Sequence, residues 1–335
     1  MTTKARQVHL VSRPDGMPNH DHFEIVEVDL PAPGAGQVLV KNLYMSVDPY
    51  MRGRMRAQGV YAEPYQLNQP MYGGAVGQVV VSNAEGLAAG DIVLNGAAWQ
   101  DHFVADAATV NKFTPFDPER LSLYLGTLGM PGMTAYVGLL RFGEPKPGET
   151  VFVSAASGAV GANVCQIAKN LGCRVVGSVG SDDKAQWLVD ECGVDEVINY
   201  KTCGDLTEAL AKAAPDGIDV YFENVGGEHL QAALNVMNHF GRIAACGMIA
   251  TYNNAEPAPG PNNLMLIVGK KVRINGFIVF DHNDMREKFL QDMEAWVSEG
   301  KIKTRETVVE GLDNAVDAFL ALFSGDNFGK MIVKL

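Results

Sequence analysis

The feature of this sequence that most restricts its fold is a glycine-containing loop between an apolar strand and an amphipathic helix. Residues 151–155 form the apolar segment, and the loop has the pattern A-x-x-G-x-x-G, with Ala155, Gly158 and Gly161 at its fixed positions. Apolar residues then recur at helical spacing over residues 160–171. Strand, loop and helix in this order are the context in which such a pattern indicates a dinucleotide site, with the pyrophosphate at the helix N-terminus. The alternative is a tight turn that binds nothing.

After this strand, loop and helix, apolar strands continue to alternate with helical patterns. Further strands are predicted at residues 174–179, 196–200, 218–223, 242–246 and 273–280, and a later helix at about 284–298. Repeated βα units of this length require a parallel sheet with helices on both faces. The sequence therefore predicts an α/β fold with a doubly wound sheet.

The first third of the chain has a different pattern. Short strands separated by turn residues are predicted at 38–43, 75–81, 91–94 and 102–105, which is typical of a small barrel or sandwich. The tail predicts a helix over residues 312–323 and a strand at 330–335. Because one strand cannot bury itself alone, we expect it to return to the N-terminal β domain.

Composition limits the possible partners. A chain of 335 residues is long enough for two domains. Its net charge of −12 disfavours a nucleic-acid surface but permits a local phosphate site. Apolar runs fall short of the ~18 residues of a membrane span, and the N-terminus lacks the apolar core of a secretory signal. Five scattered cysteines suit reduced thiols. We therefore expect a cytoplasmic protein without nucleic-acid or membrane partners.

The end of the second predicted strand bears on the choice of cofactor. Residues 176–181 are small, and Asp182, Asp183 and Lys184 follow them. An NAD site usually offers a carboxylate to the ribose hydroxyls, whereas small residues and a cation leave room for a 2′-phosphate. This favours NADP. The alternative is that Asp182 or Asp183 reaches the ribose and Lys184 is a solvated helix residue.

The sequence contains no recognisable metal-binding spacing. There is no C-x₂-C pair, and the seven histidines form no HExxH motif. Zinc-dependent alcohol oxidation is therefore disfavoured. A hydride enzyme of this kind would use an acceptor that needs less polarisation, such as an enone or a quinone. A tyrosine hydroxyl can stabilise the enolate oxygen that develops.

Eight motifs, in order along almost the whole chain, carry a resemblance to a known family. They are 42–53 (NLYMSVDPYMRG), 129–136 (GMPGMTAY), 154–161 (SAASGAVG), 176–181 (VGSVGS) with Lys184, 199–201 (NYK), 222–227 (FENVGG), 246–253 (CGMIATYN) and 276–279 (GFIV). The chain resembles the zinc-free medium-chain dehydrogenases/reductases of the alkenal/one oxidoreductase branch. This branch includes prostaglandin reductases and alkenal double-bond reductases, and the motifs are most similar to those of bacterial NADPH-dependent curcumin reductases.

The resemblance implies a fold, a cofactor and the positions that bind it. A Rossmann domain at 126–304 would be inserted into a GroES-like β-barrel domain at 1–125, which residues 305–335 complete. The cofactor would be NADPH. The implied contacts are Gly158, Ala159, Val160 and Gly161 for the pyrophosphate; Ser181, Lys184 and Tyr200 for the 2′-phosphate and adenosine end; Asn224, Cys246, Gly247, Met248, Ile249 and Tyr252 for the cofactor channel; Phe277, Ile278 and Val279 for the carboxamide; Asn327 for the phosphates; and Met133 and Thr134 beside the nicotinamide.

The resemblance also implies the chemistry. Tyr252 would face the nicotinamide and stabilise the enolate, and Tyr50 would line the substrate pocket. Tyr65 is a further pocket candidate outside the motifs. The implied activity is NADPH-dependent reduction of the C=C bond of an α,β-unsaturated ketone or aldehyde, by a homodimer. Two alternatives stay open: an NADPH quinone reductase of a sister branch, and a non-catalytic NADPH-binding protein.

Overall fold

The computed structural model describes residues 2–59 and 61–335. They form two compact units: a β unit of Met1–Gly126 with Glu306–Leu335, and an α/β unit of Thr127–Arg305. The strands are β1 Thr3–Leu10, β2 Phe23–Leu30, β3 Gln37–Ser46, β4 Ala75–Ser82, β5 Ile92–Asn95, β6 His102–Asp106, β7 Asn111–Lys112, β8 Thr150–Val153, β9 Arg174–Val179, β10 Glu196–Asn199, β11 Ile218–Glu223, β12 Met237–Ala245, β13 Arg273–Gly276, β14 Glu306–Glu310 and β15 Lys330–Lys334.

The helices follow the same numbering along the chain. They are α1 Met51–Arg54, α2 Met130–Val137, α3 Gly161–Asn170, α4 Asp182–Asp190, α5 Leu206–Ala213, α6 Gly227–Val236, α7 Met265–Lys270, α8 Arg286–Ser298 and α9 Ala315–Ser324. Short 3₁₀ helices lie at His20–His22, Ala107–Thr109, Leu121–Leu125, Ile249–Thr251, Val279–Met285 and Leu312–Asn314, and a π-helical turn lies at Gly138–Gly143.

The α/β unit contains the doubly wound sheet that the sequence predicts. Its six strands are parallel and run in the order β10-β9-β8-β11-β12-β13. From β8 the chain adds β9 and β10 on one side, and then returns to add β11, β12 and β13 on the other. This reversal of the strand order between β8 and β11 is the Rossmann arrangement. Residues Val151, Phe152 and Val153 of β8 are fully buried because helices cover both faces of a parallel sheet. The predicted fold class is confirmed.

One predicted strand of this sheet is too long. The sequence predicts a strand over 273–280, but β13 ends at Gly276 and a 3₁₀ helix starts at Val279. The chain leaves the sheet because the Phe277 ring packs among aromatic side chains, stacked on Phe142 at 5.1 Å between centroids. An apolar run alone does not distinguish a strand from such an anchored loop.

The β unit is built around a seven-stranded sheet. Strand β15 pairs antiparallel with β3 through Ile332 and Ser46, Val333 and Met45, and Lys334 and Tyr44. This confirms that the C-terminal strand returns to the N-terminal β domain. Strand β14 lies parallel to β15 on its other side, and α9 ends at Gly325 in the left-handed conformation.

The sequence patterns did not predict the hairpin of β1 and β2. Its eight residue pairs run from Thr3 with Leu30 to Leu10 with Phe23. All eight residues of β2 are exposed or half-buried, and adjacent Ile25 and Val26 break the alternation of apolar and charged residues that predicts a strand. On the inner side, Trp99 and Phe23 pack edge-on against Phe319 of α9 at 6.1 and 6.3 Å. This core supports α1 and the DPYM motif that precedes it.

Candidate functional site

In the α/β unit, the parallel sheet brings most of the predicted cofactor residues to one edge, at the carboxyl ends of its strands. The segments that follow the carboxyl ends of β8 to β13 are 158–161, 181–184, Tyr200, Asn224, 246–252 and 277–279 respectively. In a doubly wound sheet, ligands bind at this edge, where the strand order reverses. Residues far apart in the sequence therefore share one candidate site.

The loop after β8 is shaped to receive an anion. Ala155 has a positive φ of 49°, and its carbonyl accepts a hydrogen bond from the Gly158 N–H at 3.0 Å. A Cβ atom on Gly161 would lie 2.3 Å from that carbonyl oxygen, so only glycine fits at the start of α3. Val160 precedes the helix and has no side-chain oxygen with which to cap it, while the Ala162 N–H donates to the Gly158 carbonyl at 3.0 Å. The N-terminus of α3 therefore carries no side-chain cap, and its dipole favours an anion such as a phosphate.

The end of β9 bears on the choice between NADP and NAD. The Asp182 carboxylate accepts a hydrogen bond from the Asn199 amide at 2.7 Å, so one of its oxygens is partly committed within the protein. A Cβ on Gly180 would meet the Tyr200 hydroxyl at 2.8 Å and the Lys201 side chain at 3.2 Å. Tyr200 and Lys201 therefore cover the strand end from which α4 and Lys184 begin. Lys201 was not among the predicted residues, although it lies in the NYK motif.

The buried carboxyl group of Glu223 organises the loop after β11. Like Lys201, Glu223 was not among the residues predicted from the sequence. Oε1 of Glu223 accepts hydrogen bonds from the Val225 and Gly226 N–H groups at 2.6 and 2.9 Å, and from the Tyr221 hydroxyl at 2.7 Å. Burial raises the pKa of Glu223, while these donors oppose the rise. A charged residue at the end of an apolar strand is the signal that could have identified it.

Asn224 is held next to the phosphate loop by the same group of residues. Its N–H donates to the Ser154 hydroxyl at 2.9 Å, and its side-chain amide donates to the Ser154 carbonyl at 2.7 Å. The Asn224 carbonyl accepts from the Ile249 N–H at 3.1 Å. Asn224 thus joins the ends of β8 and β11 to the segment after β12.

That segment positions Tyr252. After Cys246 and Gly247, the chain forms a 3₁₀ helix at Ile249–Thr251, and the Tyr252 N–H donates to the Ile249 carbonyl at 3.2 Å. A Cβ on Gly247 would lie 2.9 Å from the Tyr252 hydroxyl, so this hydroxyl lies directly over the end of β12. Burial raises the pKa of Cys246 to about 12, which keeps its thiol neutral.

Two further predicted groups lie beside this edge. The Thr134 hydroxyl, in α2, donates to the Met130 carbonyl at 2.8 Å, and Met133 is buried in the same helix. The Phe277 ring packs edge-on against Phe222 at 6.4 Å, which fixes the backbone of the 277–279 segment. Its ring is therefore used in packing, and only its main chain is open to a ligand.

The remaining predicted residues belong to the β unit. Tyr50 precedes α1, and burial together with Asp48 raises the pKa of its hydroxyl, so it stays protonated at neutral pH. Tyr65 is 1% exposed and donates to the Tyr72 carbonyl at 2.8 Å, a core position whose hydroxyl is already used. Asn327 lies in the loop before β15, where its side-chain amide donates to the Gly329 carbonyl at 3.0 Å.

Comparison with known proteins shows the family to which this architecture belongs. Residues 6–113 match a family model described as the N-terminal domain of oxidoreductase, and residues 159–295 match one described as zinc-binding dehydrogenase. The NADPH-dependent curcumin reductase of Escherichia coli (strain K12) is 43% identical over 97% of this chain and 95% of its own length. The NADP(+)-dependent 2-alkenal reductase of Nicotiana tabacum is 45% identical over 98% of this chain and 96% of its own. The chain belongs to the medium-chain dehydrogenase/reductase family.

Within this family, the chain is a member of the branch that contains the alkenal and curcumin reductases. The structure of CurA from Vibrio vulnificus in complex with NADPH matches it with a TM-score of 0.94 and 43% identity, over 98% of each chain. Among residues 2–59 and 61–335, no three His, Cys, Asp or Glu side chains are grouped so as to hold a metal ion. In the same part of the chain, every helix is too short or too polar to cross a bilayer.

Proposed function

We propose that this medium-chain dehydrogenase/reductase uses NADPH to reduce the C=C bond of α,β-unsaturated ketones and aldehydes. The observation that carries the proposal is the Tyr252 hydroxyl over Gly247, at the carboxyl end of β12 in a Rossmann sheet. A neutral hydroxyl at this edge is the type of donor that an enolate oxygen requires. Relatives that match the whole chain carry the names curcumin reductase and 2-alkenal reductase, which supports the same chemistry.

The residues of the sheet edge fit NADPH. The close packing of Gly161 against the Ala155 carbonyl, and the start of α3, which no side chain caps, suit a pyrophosphate. Lys184, with Ser181 and Tyr200, would hold the 2′-phosphate and adenosine end, and Lys201 lies close enough to join them. The segments 246–249 and 277–279, Asn224, Met133, Thr134 and Asn327 would bind the remainder.

Tyr252 would act on the substrate rather than on the cofactor alone. Bound NADPH supplies the hydride, which the β-carbon of the enone accepts. As negative charge develops on the carbonyl oxygen, the Tyr252 hydroxyl donates a hydrogen bond to it and stabilises the enolate. Water or a relayed proton completes the reaction at the α-carbon. Tyr50, kept protonated by burial, would line the pocket that holds the substrate.

Replacing Lys184 with alanine tests the preference for NADPH. We expect the KM for NADPH to rise about tenfold or more, since a charge-assisted contact to phosphate contributes about 1.5–3 kcal/mol, while the KM for NADH stays the same. The measurement is the initial rate with each coenzyme at a fixed enone concentration. An equal increase for both coenzymes would show that Lys184 does not contact the 2′-phosphate.

The proposed activity is tested by absorbance loss of NADPH with alkenals, enones, curcuminoids and simple quinones. We expect turnover with the enones and a saturated C–C bond in the product. Turnover with quinones alone would favour the quinone-reductase alternative. Tight NADPH binding without turnover of any acceptor would favour a non-catalytic NADPH-binding protein.

We also propose a cytoplasmic homodimer, with the dimer contact at the free edge of β13. Apolar side chains are exposed there: Val268 and Met265 of α7 are 71% and 79% exposed, and Ile274 lies on the edge strand itself. Such a patch is more typical of an interface than of a solvated surface. In a sedimentation experiment, the molecular mass of Val268→Glu should be that of a monomer, whereas the wild type should have the mass of a dimer. A wild-type protein that sediments as a monomer at micromolar concentration would contradict the proposal, and cell fractionation tests the location.

A further inference from the structure

Lys330, at the start of β15, is the one lysine among residues 2–59 and 61–335 that lies inside the protein, where its side chain is 4% exposed. Its ammonium group forms an ion pair with Asp48 at 3.1 Å and donates to the carbonyls of Val47 and Met331, both at 2.8 Å. An ammonium group has three N–H donors, and here each of them has an acceptor. The position of this charge within the β unit is therefore fixed.

Asp48 is held by a second group as well. Its other carboxylate oxygen accepts a hydrogen bond from the Ser46 hydroxyl, at the end of β3. Strand β15 pairs antiparallel with β3 through Ile332 and Ser46, so Lys330 and Asp48 lie opposite each other just beyond the paired residues. The ion pair thus joins the C-terminal strand to the segment that leaves β3.

The segment that leaves β3 carries Tyr50. The Asp48 carbonyl accepts a hydrogen bond from the Met51 N–H at 3.1 Å, and the Tyr50 carbonyl accepts one from the Gly53 N–H at 3.0 Å. Tyr50 therefore lies in a tight turn directly after Asp48. Helix α1 has four residues, and no side chain caps its start. Because a single helical turn is not stable by itself, the position of Tyr50 depends on the residues that hold the turn.

The charge of Asp48 acts on both neighbouring groups. Burial raises the pKa of the Tyr50 hydroxyl, and the negative charge of Asp48 raises it further. Burial lowers the pKa of Lys330, and Asp48 opposes that effect. One carboxylate therefore lies close to the buried cation on one side and to the tyrosine on the other.

Stability alone does not require an ion pair at this place. Removal of two charges from water is unfavourable, and apolar side chains of similar volume can often replace a buried pair without loss of stability. What the ion pair adds is direction, since each N–H must meet its acceptor. The pair of Lys334 and Glu310, which also involves β15, lacks this constraint because its side chains are 49% and 72% exposed.

We propose that the buried pair of Lys330 and Asp48 positions Tyr50 for substrate binding. The inference rests on the proposed reductase activity and on the place of Tyr50 in the substrate pocket. Lys330 acts through Asp48 and the turn that begins α1, so it is a positioning residue. Without the pair, Tyr50 would shift, and a misplacement of about 1 Å can lower catalytic efficiency by about 100-fold.

The test separates position from stability by comparing a single with a double variant. Asp48→Asn leaves the Lys330 charge buried without its counter-ion, and we expect the melting temperature to fall by roughly 5–10 °C. Asp48→Asn combined with Lys330→Met removes both charges at similar volume and should regain most of that loss. Its kcat/KM for benzylideneacetone, an aryl enone, should nevertheless stay about 10- to 100-fold below that of the wild type, with an unchanged Kd for NADPH.

Non-additivity with Tyr50 shows whether the pair acts through that residue. In a Tyr50→Ala background, the same two charge removals should lower kcat/KM no further, because the group that the pair positions is gone. A further loss of equal size in this background would overturn the inference, and so would a double variant with the wild-type kcat/KM. Lys334→Met with Glu310→Gln, which removes the exposed pair, is the matched control and should change neither the melting temperature nor kcat/KM.

Hydrogen exchange keeps this inference separate from the proposed activity, because it needs neither substrate nor turnover. In the folded double variant, the peptide over residues 47–56 should exchange several-fold faster than in the wild type, and peptides of the α/β unit should be unchanged. Equal exchange of this peptide in both proteins would contradict the positioning role, whatever the activity. If it exchanges faster but the wild type reduces no enone, the proposed activity fails and the role of Lys330 in holding the turn remains.

Discussion

Replacing Tyr252 with phenylalanine should lower kcat for enone reduction by about 10²–10³-fold, the usual effect of removing one oxyanion donor. The reason is that the hydroxyl over Gly247 would stabilise charge that exists only in the transition state and the enolate. The binding of NADPH should change little, because the ring remains. Steady-state rates and cofactor titration measure the two effects separately.

The matched control is Tyr44→Phe, on strand β3 of the β unit. It removes a tyrosine hydroxyl from a position with no proposed role, and its kcat should equal that of the wild type. If Tyr252→Phe also kept the wild-type kcat, another group would have to stabilise the enolate. A fall in NADPH affinity with unchanged kcat would instead mean that Tyr252 only packs against the cofactor.

Replacing Gly161 with alanine should have the second large effect. The new Cβ would lie 2.3 Å from the Ala155 carbonyl oxygen and 2.9 Å from the Ala156 Cα, both of them backbone atoms that cannot move alone. We expect the phosphate loop to shift, the unfolding free energy to fall by about 1–3 kcal/mol, and the Kd for NADPH to rise at least tenfold. Thermal unfolding and fluorescence titration measure these changes.

Two other glycines calibrate this result. A Cβ on Gly158 would lie 3.2 Å from the same carbonyl, so Gly158→Ala should cost little stability while still weakening NADPH binding. Gly260 has open space around its Cα, and Gly260→Ala should change neither quantity. If Gly161→Ala binds NADPH like the wild type, the loop after β8 is not the pyrophosphate site.

The fold could be predicted where local patterns and global topology agree. The apolar strands, the loop from Ala155 to Gly161 and the helix after it specify a Rossmann sheet, and the unpartnered strand at the C-terminus requires a partner in the β unit. The β1–β2 hairpin was missed because three charged residues lie in its outer strand and adjacent Ile25 and Val26 break the alternation of apolar and charged residues. The predicted length of β13 was wrong because the stacking of Phe277 on Phe142 ends the strand.

The site could be predicted only as far as motifs extend. The glycines of the loop after β8, Asn224 and Tyr252 belong to motifs that occur in a recognisable order. They come together at the edge formed by the carboxyl ends of the parallel strands. The role of Glu223 depends on contacts that no spacing encodes, because four donors, one of them the Ser154 hydroxyl, surround its buried carboxyl group. Such environments arise only when the chain is folded.

Transfer of deuterium from NADPH labelled at C4 to an enone tests the proposed chemistry most directly. Mass spectrometry and NMR of the product should locate one deuterium at the former β-carbon of a saturated ketone, and a proton from solvent at the α-carbon. Deuterium at the carbonyl carbon, giving an allylic alcohol, would contradict C=C reduction. So would an unchanged enone in the presence of bound NADPH.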